Sequence, residues 1–142
     1  MSRFRVVAVA AGVVSLAAPA LASAKGDAKA TIQSPTHCDA APGTRITIRF
    51  LLTIRDADGT VRPFTASGVF VKLARVGHPS FTRPAQLTGR TTGRYTARVT
   101  MPRGGLRRID VGLRGTVYEA DGSSHPAPHM FPVTGDPCRA AR

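Results

Sequence analysis

The sequence has no tryptophan, only two tyrosines and few acidic residues: eight Asp and Glu oppose 20 Lys and Arg, for a formal net charge of +12. Such a charge attracts nucleic acid, anionic lipid or acidic polysaccharide. The arginines lie singly along predicted strands, with only Arg107 and Arg108 adjacent. No aromatic side chains interleave with them as a base-stacking surface requires. The pattern argues against a nucleic-acid partner and for a solvated basic surface.

The scarcity of acidic residues also argues against catalysis. The eight lie mainly in predicted turns and termini, and no two are placed as an acid–base pair. Asp110 is the exception because it lies on a predicted strand, where we expect it to face solvent opposite an arginine. No serine lies in a recognisable nucleophile motif, and the two cysteines do not form a C-x-x-C redox motif. We predict a protein without enzymatic activity and without a cofactor.

Long hydrophobic runs are missing after the first two dozen residues. At the start, Arg3 and Arg5 precede a short apolar run (6–18) that ends in small residues. This three-part pattern predicts a secretory signal peptide over 1–24. The run is short for a membrane span, which needs about 20 apolar residues, although an uncleaved N-terminal anchor stays open. We expect an exported single domain over 25–142, in the cell envelope or the medium, with no membrane span.

Cysteine is equally scarce, since the chain contains only Cys38 and Cys138. In an exported chain an even cysteine count indicates a disulfide, and here only one intrachain pairing exists. The bridge would tie the first segment of the mature domain to its last segment.

The clearest pattern in the sequence is the alternation in "RITIRFLLTIR" (45–55). Its apolar residues fall on even positions, its Arg and Thr residues fall on odd ones, and only Leu51 interrupts the series. Side chains alternate between the two faces of a strand, so one face is buried and the other is wet. This pattern is typical of an antiparallel sheet with one solvated side.

Similar but shorter alternations recur between turn signals, and no helical period is found outside the leader. The predicted strands are 28–34, 45–55, 67–76, 94–101, 106–119 and 127–133, with shorter ones in 60–64 and 85–93. "DADG" (56–59) predicts a turn, and 77–84 predicts a turn-rich loop. About seven such strands predict an all-β, Ig-like antiparallel β-sandwich. Its core would pack the even face of 46–54 against the odd faces of 69–73 and 95–101.

Two segments resemble secreted bacterial Ig-like domains. "TIRDADGTVRPFTASGVFVKL" (53–73) is similar to their D-x-D/N-G turn, proline and alternating strand. "TGRYTARVTMPRGGLRRIDVGL" (92–113) resembles the G-x-Y-x-A-x-V-x-x-P-x-G-G segment of sandwich domains that include the YtkA-like group. The resemblance implies that the glycine and tyrosine begin a core strand and that Pro-x-Gly-Gly turns into the next. That group is linked loosely to metal or membrane-associated roles, and no ligand set carries over.

A metal site is the alternative interpretation of "HPAPHMFPVTGDPC" (125–138), because imidazole and thioether ligands suit copper. The candidates are His125, His129 and Met130. The intervening prolines forbid a helix. On a strand the two histidines would lie about 13 Å apart, and Met130 would point away from His129. The spacing favours an edge strand that prolines protect from further pairing, ending in the cysteine.

These observations favour an exported, non-enzymatic Ig-like module that binds a protein or an anionic surface polymer. The predicted loops 77–84 and 102–108 carry the candidate anion-binding residues, which are Arg83, Arg103, Arg107 and Arg108. The competing hypothesis is an envelope copper-handling protein that uses the His and Met residues. The sequence leaves the ligand and the oligomeric state open.

Overall fold

We describe the fold from a computed structural model, which covers residues 28–118, 122 and 124–140. The signal peptide predicted over 1–24 lies outside these residues. Within them, no helix has the length and apolar character needed to cross a membrane.

The described part of the chain consists almost entirely of strands. In chain order the elements are β1 (Ala28–Ser34), β2 (Arg45–Arg55), β3 (Val61–Pro63), β4 (Val69–Arg75), β5 (His78–Pro84), β6 (Gln86–Leu87), β7 (Arg94–Thr100), β8 (Leu106–Tyr118), β9 (Ser124–Phe131), β10 (Val133–Thr134) and α1 (Pro137–Ala140).

The strands form two sheets, and the predicted all-β sandwich is confirmed. Sheet A has the order β10-β1-β2-β7-β6, with β3 also paired to β2, and sheet B has the order β5-β4-β8-β9. If β1, β2, β4, β5, β6, β7, β8 and β9 are lettered A, B, C, C′, D, E, F and G, the sheets are ABED and C′CFG. This is the strand arrangement of the immunoglobulin fold.

The core lies between the two sheets and uses the even face of β2, as the alternation predicts. Ile48, Phe50 and Leu52 are fully buried there, and the Phe50 ring stacks on Tyr95 with centroids 5.6 Å apart. The expected facing partner over 69–73 lies in sheet B, but 95–101 does not face β2. Instead β7 is the hydrogen-bonded neighbour of β2 within sheet A, because side-chain periodicity does not specify which strands pair.

The prediction of a loop over 77–84 is wrong, since all of these residues except Gly77 form the edge strand β5. The pairing of Phe70 with Pro84 explains how proline is tolerated there. The carbonyl of Val69 accepts a hydrogen bond from the backbone N–H of Ala85, so the odd residues of β4 make the ladder bonds to β5. Pro84 is opposite the even residue Phe70 and therefore lies at a non-hydrogen-bonded position. Its missing N–H would have pointed to the free edge, where no sheet bond is lost.

The same logic explains the prolines of the edge strand β9. Arg114 donates its backbone N–H toward Gly68 of the neighbouring segment, so the odd residues of β8 face β9. The ladder pairs Arg114 with Pro128 and Thr116 with Pro126. At both prolines the missing N–H would have pointed to the outer edge, so no ladder bond to β8 is lost. Because the outer edge lacks these donors, sheet B is protected from pairing with another chain.

The C-terminal segment closes the sandwich after β9 ends. Gly135 has φ +71°, and a Cβ there would lie 2.7 Å from the carbonyl oxygen of Ile32. Asp136 accepts hydrogen bonds from the backbone N–H of Cys138 (3.0 Å) and of Ile109 on β8 (3.1 Å). It thus caps α1 and also replaces β9 as the partner of β8 at Ile109.

Cys38, in the β1–β2 loop, and Cys138, in α1, are the predicted disulfide pair, and their Cα atoms are 5.1 Å apart. That separation suits a disulfide. The bridge joins the two ends of the domain, as the sequence predicts, and differs from the inter-sheet bridge of antibody domains.

The G-x-Y segment at the start of β7 has a structural role. Gly93 has φ +74° and lies against the carbonyl oxygen of Leu52, which would be 2.8 Å from a Cβ at this position. The Tyr95 hydroxyl donates to the carbonyl of Ala66 (2.7 Å) and accepts from the N–H of the same residue (2.8 Å). Together they attach the segment before β4 to sheet A.

Candidate functional site: an arginine groove at the edge of the sandwich

Sheet A is positively charged because its strands contain arginine and lysine, whereas none of its six described strands contains Asp or Glu. On its outer face, β2 and β7 place arginine and threonine in alternation. The register pairs Arg45 with Thr100, Thr47 with Arg98 and Arg49 with Thr96, while Arg94 faces Leu51. No arginine is directly opposite another, an arrangement that limits repulsion between like charges.

A groove forms where β6 stops covering the edge of β7. The two residues of β6 pair only with Thr96 and Tyr95. Beyond them Arg83, from the edge strand of sheet B, approaches the second half of β7. Two adjoining depressions share Arg83 and Arg98. One is completed by Arg45, Val99 and Thr100, and the other by Pro84, Gln86, Leu87, Thr88 and Thr96. We call this site the arginine groove.

Backbone donors also face this groove. Arg94 accepts a backbone bond from Thr88 on the β6 side. Backbone groups alternate along an antiparallel strand, so the N–H groups of Arg98 and Thr100 point to the same side, beyond the end of β6. The groove therefore combines three guanidinium groups with backbone and hydroxyl donors, a set suited to phosphate, sulfate or carboxylate oxygens.

The ring of Phe81 supports the Arg83 side chain through a cation–π contact. The guanidinium of Arg83 lies 5.1 Å from the centroid of the Phe81 ring, and that of Arg75 lies 5.2 Å from it. The ring is half-buried and packs against the core. Stacking on an aromatic face orders a guanidinium while leaving its edge available for hydrogen bonds. Arg83 makes one such bond from Nη1 to the carbonyl oxygen of Thr82 (3.1 Å).

The carboxylates of the described residues do not neutralise the groove. Within the described ranges the ion pairs are Asp56–Arg62 (2.6 Å) and Asp110–Arg108 (2.8 Å), and both are on other surfaces. Thus Asp110 does contact an arginine near the solvent, but the partner lies two residues before it on β8, and the residue across the ladder is Lys72.

Two groups with shifted pKa values lie close together, Asp58 in the turn after β2 and Arg62 on β3. Hydrogen bonds from the backbone and then the side chain of Thr60 lower the pKa of Asp58. The hydrogen bond to Asp56, followed by the charge of that carboxylate, raises the pKa of Arg62. Asp58 accepts from the Thr60 N–H at 2.8 Å, so the DADG segment is a hydrogen-bonded turn, as predicted.

Of the four arginines proposed from sequence, Arg83 lines the groove and the others lie elsewhere. Arg103 is exposed in the β7–β8 turn, and Arg107 and Arg108 are on β8 rather than in a loop. Arg108 is paired with Ala74 on the outer face of sheet B. The alternation in the sequence places Arg45, Arg49, Arg94 and Arg98 on solvated strand faces, but it does not show that they lie close together. Their convergence depends on the β2–β7 register and on the edge position of β5.

The candidate copper ligands are distributed along β9. His129 is paired with Leu113 and Met130 with Gly112, and the backbone of His125 is paired with Val117; the His125 side chain lies outside the described part. Met130 packs over Gly112, where an added Cβ would lie 2.9 Å from its sulfur. Across the residues that the structure covers, no three His, Cys, Asp or Glu side chains are grouped to hold a metal ion.

Comparison with protein-family models, with curated proteins and with solved structures finds no match for this chain. The resemblance to the YtkA-like group therefore stays a prediction.

Proposed function

We propose that this protein is an exported, non-enzymatic Ig-like module that binds an anionic ligand of the cell envelope or medium through the arginine groove. The observation that carries the proposal is the convergence of Arg45, Arg83 and Arg98 on one groove without a described carboxylate among its lining residues. The cysteine pair supports the extracytoplasmic location, because disulfides persist in oxidising compartments.

The groove suits binding better than chemistry. Arginine remains protonated at all physiological pH values and cannot act as a general base. The other lining side chains are threonine, glutamine and apolar residues, none of which is placed beside a base that would activate it. A shallow, strongly cationic edge can hold an oxyanion in place without reacting with it.

The test compares two triple variants that remove the same charge. Arg45→Gln/Arg83→Gln/Arg98→Gln removes the three guanidinium groups of the groove. Arg103→Gln/Arg107→Gln/Arg108→Gln removes the remaining candidates predicted from the sequence. Titration with a dimer of glycerol phosphate, or with a disaccharide of uronic acid, is followed by amide NMR at physiological salt. We expect the groove triple to weaken binding at least tenfold, since each charge-assisted contact contributes about 1.5 kcal/mol or more, and the control triple to weaken it less than threefold.

Equal losses in the two triple variants would mean that net charge alone attracts the probes. Absence of binding to the wild-type protein would remove the proposal altogether. The amide signals of Arg98 and Thr100 are expected to show the largest shifts, because their N–H groups face the groove.

A further inference from the structure

We propose that the ligand is a linear phosphodiester polymer of polyol units that leaves the arginine groove and runs along the outer face of sheet A. This inference rests on the proposed function and extends it, because it assigns a second set of contacts beyond the groove. We call that set the arginine strip, defined by Arg45, Arg98, Arg49 and Arg94.

The register of β2 and β7 builds the strip. Arg45 is opposite Thr100, so Arg98 is its diagonal neighbour, and Arg98 is opposite Thr47, so Arg49 is the next diagonal neighbour. Arg49 is opposite Thr96, which makes Arg94 the last member. Each diagonal step joins positions roughly 7–8 Å apart.

The strip is long enough for several charges. From Arg45 to the level of Arg94, which is opposite Leu51, the register advances six residues along β2. Six residues of an antiparallel strand span about 20 Å. Arg98 and Arg45 belong to both the groove and the strip, so a chain bound in the groove would continue onto the sheet without a break.

The composition of the face favours a polymer without bases. The aromatic side chains of these strands, Phe50 and Tyr95, point into the core, and single-stranded nucleic acids are held by stacking on exposed rings. Thr47, Thr96 and the half-buried Leu51 lie between the arginines instead. Hydroxyl groups and an aliphatic side chain can contact the neutral part of a sugar or polyol unit while the guanidinium groups pair with its charges.

Each step of the strip advances two residues along β2, or about 7 Å. This spacing is close to that of successive phosphates in a phosphodiester chain with three-carbon units, whereas the carboxylates of adjacent sugars in an extended polyuronate are closer together. A bidentate guanidinium fork recognises both phosphate and carboxylate. A uronic acid polymer therefore serves as the comparison ligand, since it carries the same sign of charge at a different spacing.

The experiment measures the dependence of affinity on chain length. Oligomers of glycerol phosphate and of uronic acid, each with two, four and eight units, are titrated calorimetrically into the wild type, into Arg49→Gln/Arg94→Gln, and into a charge-matched control, Arg103→Gln/Arg107→Gln. We expect the affinity of the wild type to rise with the length of the glycerol phosphate oligomers, and more steeply than with the length of the uronic acid oligomers. A steeper rise for uronic acid would overturn the choice of a phosphodiester. We expect Arg49→Gln/Arg94→Gln to weaken the eight-unit oligomer roughly tenfold and the two-unit oligomer less than twofold.

The outcomes separate the strip from the groove. If Arg49→Gln/Arg94→Gln binds the eight-unit oligomers as the wild type does, while the groove triple variant does not bind, the strip is wrong and the proposed function stands. If the control double variant loses as much affinity as the strip variant, the effect is one of net charge and the strip is also wrong. If no oligomer binds the wild type, both proposals fail.

A single-stranded oligonucleotide with eight phosphates serves as the final comparison, since it carries similar charges together with bases. We expect it to bind no tighter than the glycerol phosphate octamer. Tenfold tighter binding of the oligonucleotide would assign the face to nucleic acid and overturn the inference.

Discussion

Gly93 and Gly59 illustrate two different reasons for glycine at a positive φ. Gly59, in the turn after β2, has φ +86° and nothing within 4 Å of an added Cβ. Gly93 has φ +74°, and the same atom would lie 2.8 Å from the Leu52 carbonyl oxygen and 2.9 Å from Pro63. Gly59 requires glycine only because of its backbone conformation, whereas Gly93 requires it also because a Cβ would overlap neighbouring atoms.

We therefore predict that Gly59→Ala lowers the free energy of unfolding by about 1–2 kcal/mol, the cost of a left-handed backbone for an L-residue. Gly93→Ala should lower it by roughly 3 kcal/mol or more, because overpacking is added to the same backbone cost. Urea denaturation followed by circular dichroism measures both variants. Equal losses at the two positions would show that the close approach at Gly93 relaxes without cost.

At the scale of elements, edge strands account for most of the differences between the predicted and the observed structure. Residues 78–84 contain Pro79 and Pro84 and show no alternation, yet they form β5, because an edge strand makes ladder bonds on one side only. The sequence predicts a last strand over 127–133, and β9 begins three residues earlier, at Ser124, with the predicted proline protection. The short α1 was missed, although Asp136–Pro137 is a recognisable helix start, with a capping residue followed by proline at the first helical position.

Asp136 is hydrogen-bonded to both α1 and β8, so its removal should destabilise both elements. We predict that Asp136→Ala lowers the free energy of unfolding by about 1–3 kcal/mol, since the cap of α1 disappears and the N–H of Ile109 loses its acceptor. Hydrogen exchange should accelerate at the amides of Ile109 and Cys138. The exposed Asp39→Ala variant is the control and should leave both amides unchanged. Unaltered protection at Ile109 in Asp136→Ala would contradict the assigned hydrogen bond.

At the scale of the whole molecule, the Cys38–Cys138 pair determines how the ends of the domain are held. The two cysteines are 100 residues apart, so the cross-link restricts nearly the entire described chain when it is unfolded. Chain-entropy arguments put the effect of such a loop at up to about 4.7 kcal/mol, and measured values for disulfides are typically about 2–4 kcal/mol.

We predict that Cys38→Ser/Cys138→Ser lowers the free energy of unfolding by about 2–4 kcal/mol while the far-ultraviolet circular dichroism spectrum keeps its β-sheet form. Reduced wild-type protein should unfold at the same urea concentration as this double variant, and the reductant should have no effect on the variant itself. A reduced wild type as stable as the oxidised protein would show that the cross-link contributes nothing to folding.

The fold class follows from local properties of the chain. Period-two alternation in 45–55 and 94–101, together with turns rich in Gly and Asp, depends only on neighbouring residues, so it is readable without the tertiary structure. The pairing of the cysteines was equally accessible, since only one intrachain combination exists. The arginine groove depends on contacts that no local pattern encodes. Arg83 and Arg98 meet because β5 is an edge of one sheet and β6 is too short to cover the other, and both conditions arise only when the two sheets pack.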